Sequence, residues 1–200
     1  GVLAVDLRAH LPFADASFAV VYQSHALEHL SRAAAVGALR EQWRVLRPGG
    51  TLRVVVPDLE QLARNYLAAL EGAARGDPAW ARRYDWTVIE LLDQCVRERP
   101  GGEMAEYLRA GGGDREFIAS RVGGEALAAI SSTTPAQTPR DPLLRRLRGA
   151  ARRRLGAALP ARLRDALQLR RFRRGGEPHL WMYDRHSLAR LLVYVGFREP

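Results

Sequence analysis

Lysine is absent from this chain: all 31 basic residues are arginine, against 22 acids, for a formal net charge of +9. Together with the abundant Ala, Gly and Leu, this composition fits GC-rich coding better than selection for guanidinium chemistry. Cysteine occurs once, at Cys95, which excludes an internal disulfide framework and fits a reducing compartment. Its setting, LLDQCV, is an apolar helical pattern, so the thiol is expected to be buried and inert. No apolar run reaches the ~18–20 residues needed to cross a bilayer. The N-terminus has no basic stretch followed by an apolar core, so no signal peptide is read there. An initiator methionine is also missing, and the chain opens on GVLAVDL, which leads us to expect a piece of a longer protein.

The first third alternates short apolar runs with helical patterns. Val2–Asp6 and Phe18–Tyr22 read as buried parallel strands, with a loop over 10–16. Ser31 is a suitable N-cap for a helix with Val36, Leu39, Trp43 and Leu46 on one face. Pro48-Gly49-Gly50 is expected to stop it, and Thr51–Val56 forms a third strand. Asp58 can end that strand and cap a helix running to about Arg75, with Leu59, Leu62, Tyr66, Leu67 and Leu70 on one side. This order argues for a parallel sheet with crossover helices.

The middle is different. Residues 78–129 hold helical patterns broken at Pro100-Gly101-Gly102 and Gly111-Gly112-Gly113. Residues 131–142 form a Ser-, Thr- and Pro-rich linker. Arg140–Arg174 is basic and helical with a break at Pro160, and Leu143, Leu147, Ala151, Leu155 and Leu159 form its apolar stripe. A final helix over 183–197 ends at Gly196.

Ligands of open α/β sheets bind at the carboxyl ends of the strands. Asp6 and Leu7, Gln23–His29, and Pro57-Asp58 are the residues that follow strands here. Around them, DLRAHLPFADASFAVVY, SHALEHL, RVLRPGGTLRVVVPD, PDLEQLARNYL and HLWMYDRHSLARLLVYVGF occur in order. This set resembles class I S-adenosylmethionine (SAM) methyltransferases of the type 11-like kind, and is similar to a bacterial subgroup of predicted SAM-dependent methyltransferases. The likeness covers residues 1–67 and 179–197.

The resemblance implies SAM as cofactor and assigns roles. Asp6 would accept a hydrogen bond from the adenine amino group, a task suited to an acceptor-only carboxylate. Leu7 would flank the adenine ring. Gln23, Ser24 and His25 would sit near the methionine half and the incoming nucleophile, with His25 as a base where the acceptor needs one. His29 is a further catalytic candidate, although it and Glu28 could simply orient the loop through backbone hydrogen bonds. His179 and Tyr183 are expected on the substrate side. Two features depart from the family pattern. Ala19 replaces the usual Asp, and no G-x-G loop follows an early strand to let the backbone approach the cofactor closely. The resemblance thus implies an N-terminally truncated domain that binds SAM poorly or not at all.

His25-Ala26-Leu27-Glu28-His29 also matches H-x-x-E-H. A zinc protease would need that motif on a long helix, plus a third ligand. Here it directly follows a strand, so the sequence is read as having no metal site. Trp80, Tyr84 and Trp86 beside Arg82 and Arg83 are either a packed helix face or a cationic-aromatic pocket.

The expected fold is α/β: a Rossmann-like, three-layer, mostly parallel sheet, incomplete at both ends, with a helical insertion. Residues 1–75 would be the second half of the methyltransferase-like domain, 76–178 an Arg-rich insertion or lid, and 179–200 the returning helix. The leading function is methyl transfer to a small-molecule, glycan or lipid-type acceptor in the cytoplasm. A non-catalytic scaffold of the same fold stays open. So does a module binding an anionic membrane surface or nucleic acid through Arg140–Arg174, although that block lacks the interleaved aromatics of single-strand binders.

Overall fold

The computed structural model describes residues 2–124, 127–128, 160–173 and 175–200. The linker over 131–142 and the stripe from Leu143 to Leu159 lie outside the described residues. The chain divides into two compact units, one of residues 1–96 and 178–200, the other of residues 97–177.

The first unit is mixed α/β. Strand β1 (Phe18–Ser24) leads through a 3₁₀ turn at Leu27–His29 into helix α1 (Arg32–Val45). Strand β2 (Leu46–Val55), helix α2 (Leu59–Ala74) and helix α3 (Pro78–Val96) follow. Among the described residues β1 and β2 form a two-stranded parallel sheet. Ser31 caps α1 by accepting from the Ala34 amide, and Asp58 caps α2 by accepting from those of Glu60 and Gln61.

The Pro-Gly-Gly segment does not stop α1, which ends at Val45, three residues earlier. It forms a bulge in β2: Phe18 pairs with Leu46 while Val20 already pairs with Thr51. Gly49 takes a positive φ of 76°. A Cβ on Gly50 would lie 2.9 Å from the Arg47 carbonyl oxygen and 3.0 Å from that of Ala19. Glycine is therefore required where β2 bends back onto β1.

The expected strand Val2–Asp6 is not formed. It has no ladder partner among the described residues, and Val2, Leu3 and Val5 are exposed. A parallel strand exists only where a neighbour supplies its amides and carbonyls. The helix faces also rotate from the expected ones. Trp43, Leu67 and Leu70 are exposed, and α1 instead buries Ala35, Ala38, Leu39, Gln42 and Val45.

The last helix, α7 (Arg185–Val195), closes the first unit. Asp184 and Ser187 form a reciprocal capping box at its start. The core joins Leu27, Leu30, Ala35, Ala38 and Leu39 to Tyr183, with Leu52, Val54 and Leu188 packed around them.

The second unit contains α4 (Gly102–Arg109), α5 (Arg115–Val122) and α6 (Ala161–Arg173). Met104, Leu108 and Ile118 are buried. Arg97 and Glu177 meet at 3.2 Å at its two ends, and Glu177 also accepts from the Gly101 amide. The described part of the basic block, α6, is an exposed arginine-rich helix.

Candidate functional site

Three segments converge at the carboxyl ends of the two strands. The first is the turn after β1. The His25 amide donates to the Val55 carbonyl at 3.0 Å, extending the ladder by one residue. His25 then turns with a φ of 50°, a left-handed conformation uncommon for a residue with a Cβ. That reversal sends Leu27 and Glu28 inward, where neither is exposed at all. The second segment follows β2, where the Leu59 amide donates to the Tyr183 carbonyl at 2.8 Å. The third is Pro178–Asp184. The amides of Leu180 and Trp181 both donate to the Glu28 carbonyl, at 2.7 and 3.2 Å, and the His179 amide donates to that of Gln94.

Side chains gather where these segments meet. His25 Nδ1 lies 3.3 Å from Glu28 Oε1. The His29 and His179 rings pack edge to face, 4.9 Å between centroids. His29 Nδ1 is 3.2 Å from the Pro178 carbonyl oxygen. One ligand-type atom from each of Glu28, His29 and His179 falls within 4.8 Å of the other two. The Glu28 carboxylate is buried without a hydrogen bond, and the buried Tyr183 hydroxyl also lacks one. Burial pushes the Tyr183 phenol up, and the nearby Glu28 adds to this while Arg32 opposes it.

Beside this cluster a cleft of about 500 Å³ opens between α1 and α7. Arg32, Trp181, Tyr183, His186, Arg190 and Tyr194 line it. The Arg32 guanidinium stands over the Trp181 ring at 4.7 Å. His186, Arg190 and Tyr194 recur every four residues along α7, a spacing already present in the sequence.

The residues singled out from the sequence fall into two groups. His25, His29, His179 and Tyr183 come together, although Tyr183 is separated from them by more than 150 positions of chain in two cases. The adenine-side candidates Asp6 and Leu7 and the methionine-side candidates Gln23 and Ser24 have settings of their own. Asp6 is exposed and engaged by Arg8, whose Nε and Nη2 both lie 2.9 Å from its oxygens. Those hydrogen bonds hold the Asp6 carboxyl down at about 2. Leu7 packs half-buried against the core. Gln23 points into the helix–sheet interface, its amide nitrogen 3.0 Å from Gln42 Oε1, and Ser24 is exposed. Glu28 was expected to bond backbone groups and does not. Cys95 is half-buried. The aromatics of α3 form a packed face: Trp86 is fully buried and donates to Glu90, and Trp80 packs against Gly72.

Residues 2–54 match the family model described as a methyltransferase domain. No curated protein and no solved structure gives a match. The match covers the segment carrying β1, α1 and most of β2. Among the described residues no helix is long and apolar enough to cross a membrane.

Proposed function

We propose that this chain carries methyl-transfer chemistry with SAM as donor, on a Rossmann-like sheet of which β1 and β2 are the part described. The single observation behind this reading is the methyltransferase-domain match over residues 2–54, which spans β1 and the turn that builds the side-chain cluster. The donor set suits one part of SAM. An ionised Asp6 can accept from an adenine amino group once Arg8 yields an oxygen, and Leu7 offers the adjoining apolar surface. Asp6 and Leu7 address only the adenine end of SAM, so these two contacts alone hold it weakly. When bound, SAM supplies an electrophilic methyl group on a sulfonium.

The chain's own residues then position the acceptor and receive its proton. His25 Nδ1 lies 3.3 Å from Glu28 Oε1, an approach that orients the ring and leaves Nε2 to take a proton from an acceptor hydroxyl. Ser24, exposed at the end of β1, closes the strand end on the methionine side. His179 and Tyr183 bound the acceptor side, and the cleft with Arg32 and Arg190 suits a flat or anionic acceptor.

Equilibrium dialysis tests the reading, with SAM, S-adenosylhomocysteine and ATP as separate ligands. The expected result is weak, saturable binding of both adenosyl-sulfur ligands in preference to ATP, reduced in Asp6→Ala. Equal or absent binding of all three would remove SAM as the donor. Micromolar affinity for SAM would overturn the statement that the site holds it weakly.

A further inference from the structure

We propose that Glu28, His29 and His179 bind a single divalent transition-metal ion of the zinc type. Two imidazoles and one carboxylate are a donor set that suits zinc and its neighbours in the first transition row. Their ligand atoms already lie within 4.8 Å of one another. Around zinc, with metal–ligand bonds of about 2.1 Å, tetrahedral neighbours stand roughly 3.4 Å apart. Small side-chain rotations therefore complete the site, and the backbone need not move.

The second observation is the state of Glu28. Its side chain is fully buried, yet neither carboxylate oxygen accepts a hydrogen bond. Burying a carboxylate without compensation is unfavourable. The exposed His25 offers only a 3.3 Å approach to Oε1. A cation between Glu28 and the two imidazoles supplies the missing partner. Glu28 Oε2 remains available to the metal while Oε1 faces His25.

The surroundings are those of a metal-binding histidine. When His29 Nδ1–H donates to the Pro178 carbonyl, at 3.2 Å, the lone pair is on Nε2, free to coordinate. Such an outer hydrogen bond fixes tautomer and ring orientation. The His179 backbone is held through its amide to Gln94, and the next two amides clamp the Glu28 carbonyl. Three protein ligands leave a fourth position for water. This is not the zinc-protease arrangement. The H-x-x-E-H motif lies in the bend after β1 and a three-residue 3₁₀ turn, and the third ligand comes from the far end of the chain. The site does not rest on the methyl-transfer reading.

The test is metal titration of the 200-residue protein after chelator stripping, with zinc followed by competition against a chromophoric chelator and cobalt(II) by visible absorption. The expected result is one zinc per chain and visible cobalt bands that zinc abolishes. His29→Ala and His179→Ala lose stoichiometric binding, Glu28→Gln weakens it tenfold or more, and the double variant His10→Ala/His186→Ala keeps it. Removing a buried ligand can unfold the chain, so histidine-labelled NMR of the unaltered protein gives a second reading. Zinc should move the His29 and His179 rings and leave His10 and His186 in place. A folded protein that retains no zinc, or zinc that shifts only His10 or His186, would overturn the site. A cluster that merely shares a proton would give that first result.

Discussion

Arg44 holds four groups at once. Its guanidinium donates to the carbonyls of Leu11 and Phe13 and to the carboxylates of Asp15 and Glu41. The Leu-Pro-Phe loop, which the sequence marks only as a motif, is thereby fastened to α1. Glu41 also accepts from the Leu11 amide at 2.8 Å. Arg44 first, and then that amide, hold the Glu41 carboxyl down at about 2, against an ordinary value of 4.5. A group depressed in the folded state stabilises the fold above its unfolded pKa and loses that contribution as pH falls through the folded one. The contribution of Glu41 should thus be complete above pH 4.5 and disappear towards pH 2. Urea unfolding across this window should show a shallower acid limb in Glu41→Gln than in the unaltered protein. Equal slopes would place the acid sensitivity elsewhere. Arg44→Lys should fail to restore the loop, because an ammonium cannot present the same fork to two carboxylates and two carbonyls.

At the scale of elements, local signals carried far. Ser31 and Asp58 act as the N-caps that their positions suggest, and Asp184 begins the last helix. What local pattern could not show was which apolar residues find a partner. Val2–Asp6 has the composition of a buried strand but no ladder to join. Leu67 and Leu70 have the right periodicity but lie outside the face that meets α3. Gly72 makes the point in reverse, since it reads as an ordinary helical glycine. In the fold it is where α2 and α3 touch: a Cβ there would stand 2.3 Å from Trp80 Cγ. Gly72→Ala should therefore destabilise by about 1–3 kcal/mol through overpacking. Gly37, in α1, has nothing within 4 Å of such a Cβ, and Gly37→Ala should stabilise by about 0.5–1 kcal/mol. Thermal melts of the two variants should move in opposite directions. Movement in the same direction would discard the packing argument. The functional cluster was half legible in the same way. His25, His29, His179 and Tyr183 stood out as chemistry-bearing residues near strand ends. Glu28 was read only as a loop-orienting residue or as part of an H-x-x-E-H motif, because nothing in sequence order shows that a turn of positive φ will bury it against a segment from the far terminus.

For the whole molecule, the chain leaves the first unit and returns to it at one place. Gln94 and His179 share a 2.8 Å backbone hydrogen bond, and the intervening unit closes its own neck through Arg97 and Glu177. Replacing residues 97–177 by a short Gly-Ser linker should then leave the first unit folded. Its far-UV spectrum and the exchange protection of the Leu180 and Leu59 amides should persist. Loss of both would show that the first unit depends on the second for its fold.

The pairing of Glu28 and His29 with Pro178–Trp181 joins positions at least 149 apart. Tyr183, from that same late stretch, completes the core that Leu27 and Leu39 begin. Chains are synthesised from the N-terminus, and domains tend to fold as they emerge. Here the early sheet and its first helix must wait on the ribosome with their interior open. Helices α4 and α5 of the second unit are made before Tyr183 can complete the core of the first. The order in which this protein is made is therefore not the order in which it is buried, and the nascent chain's exposed Leu27–Leu39 surface is where a chaperone would find it.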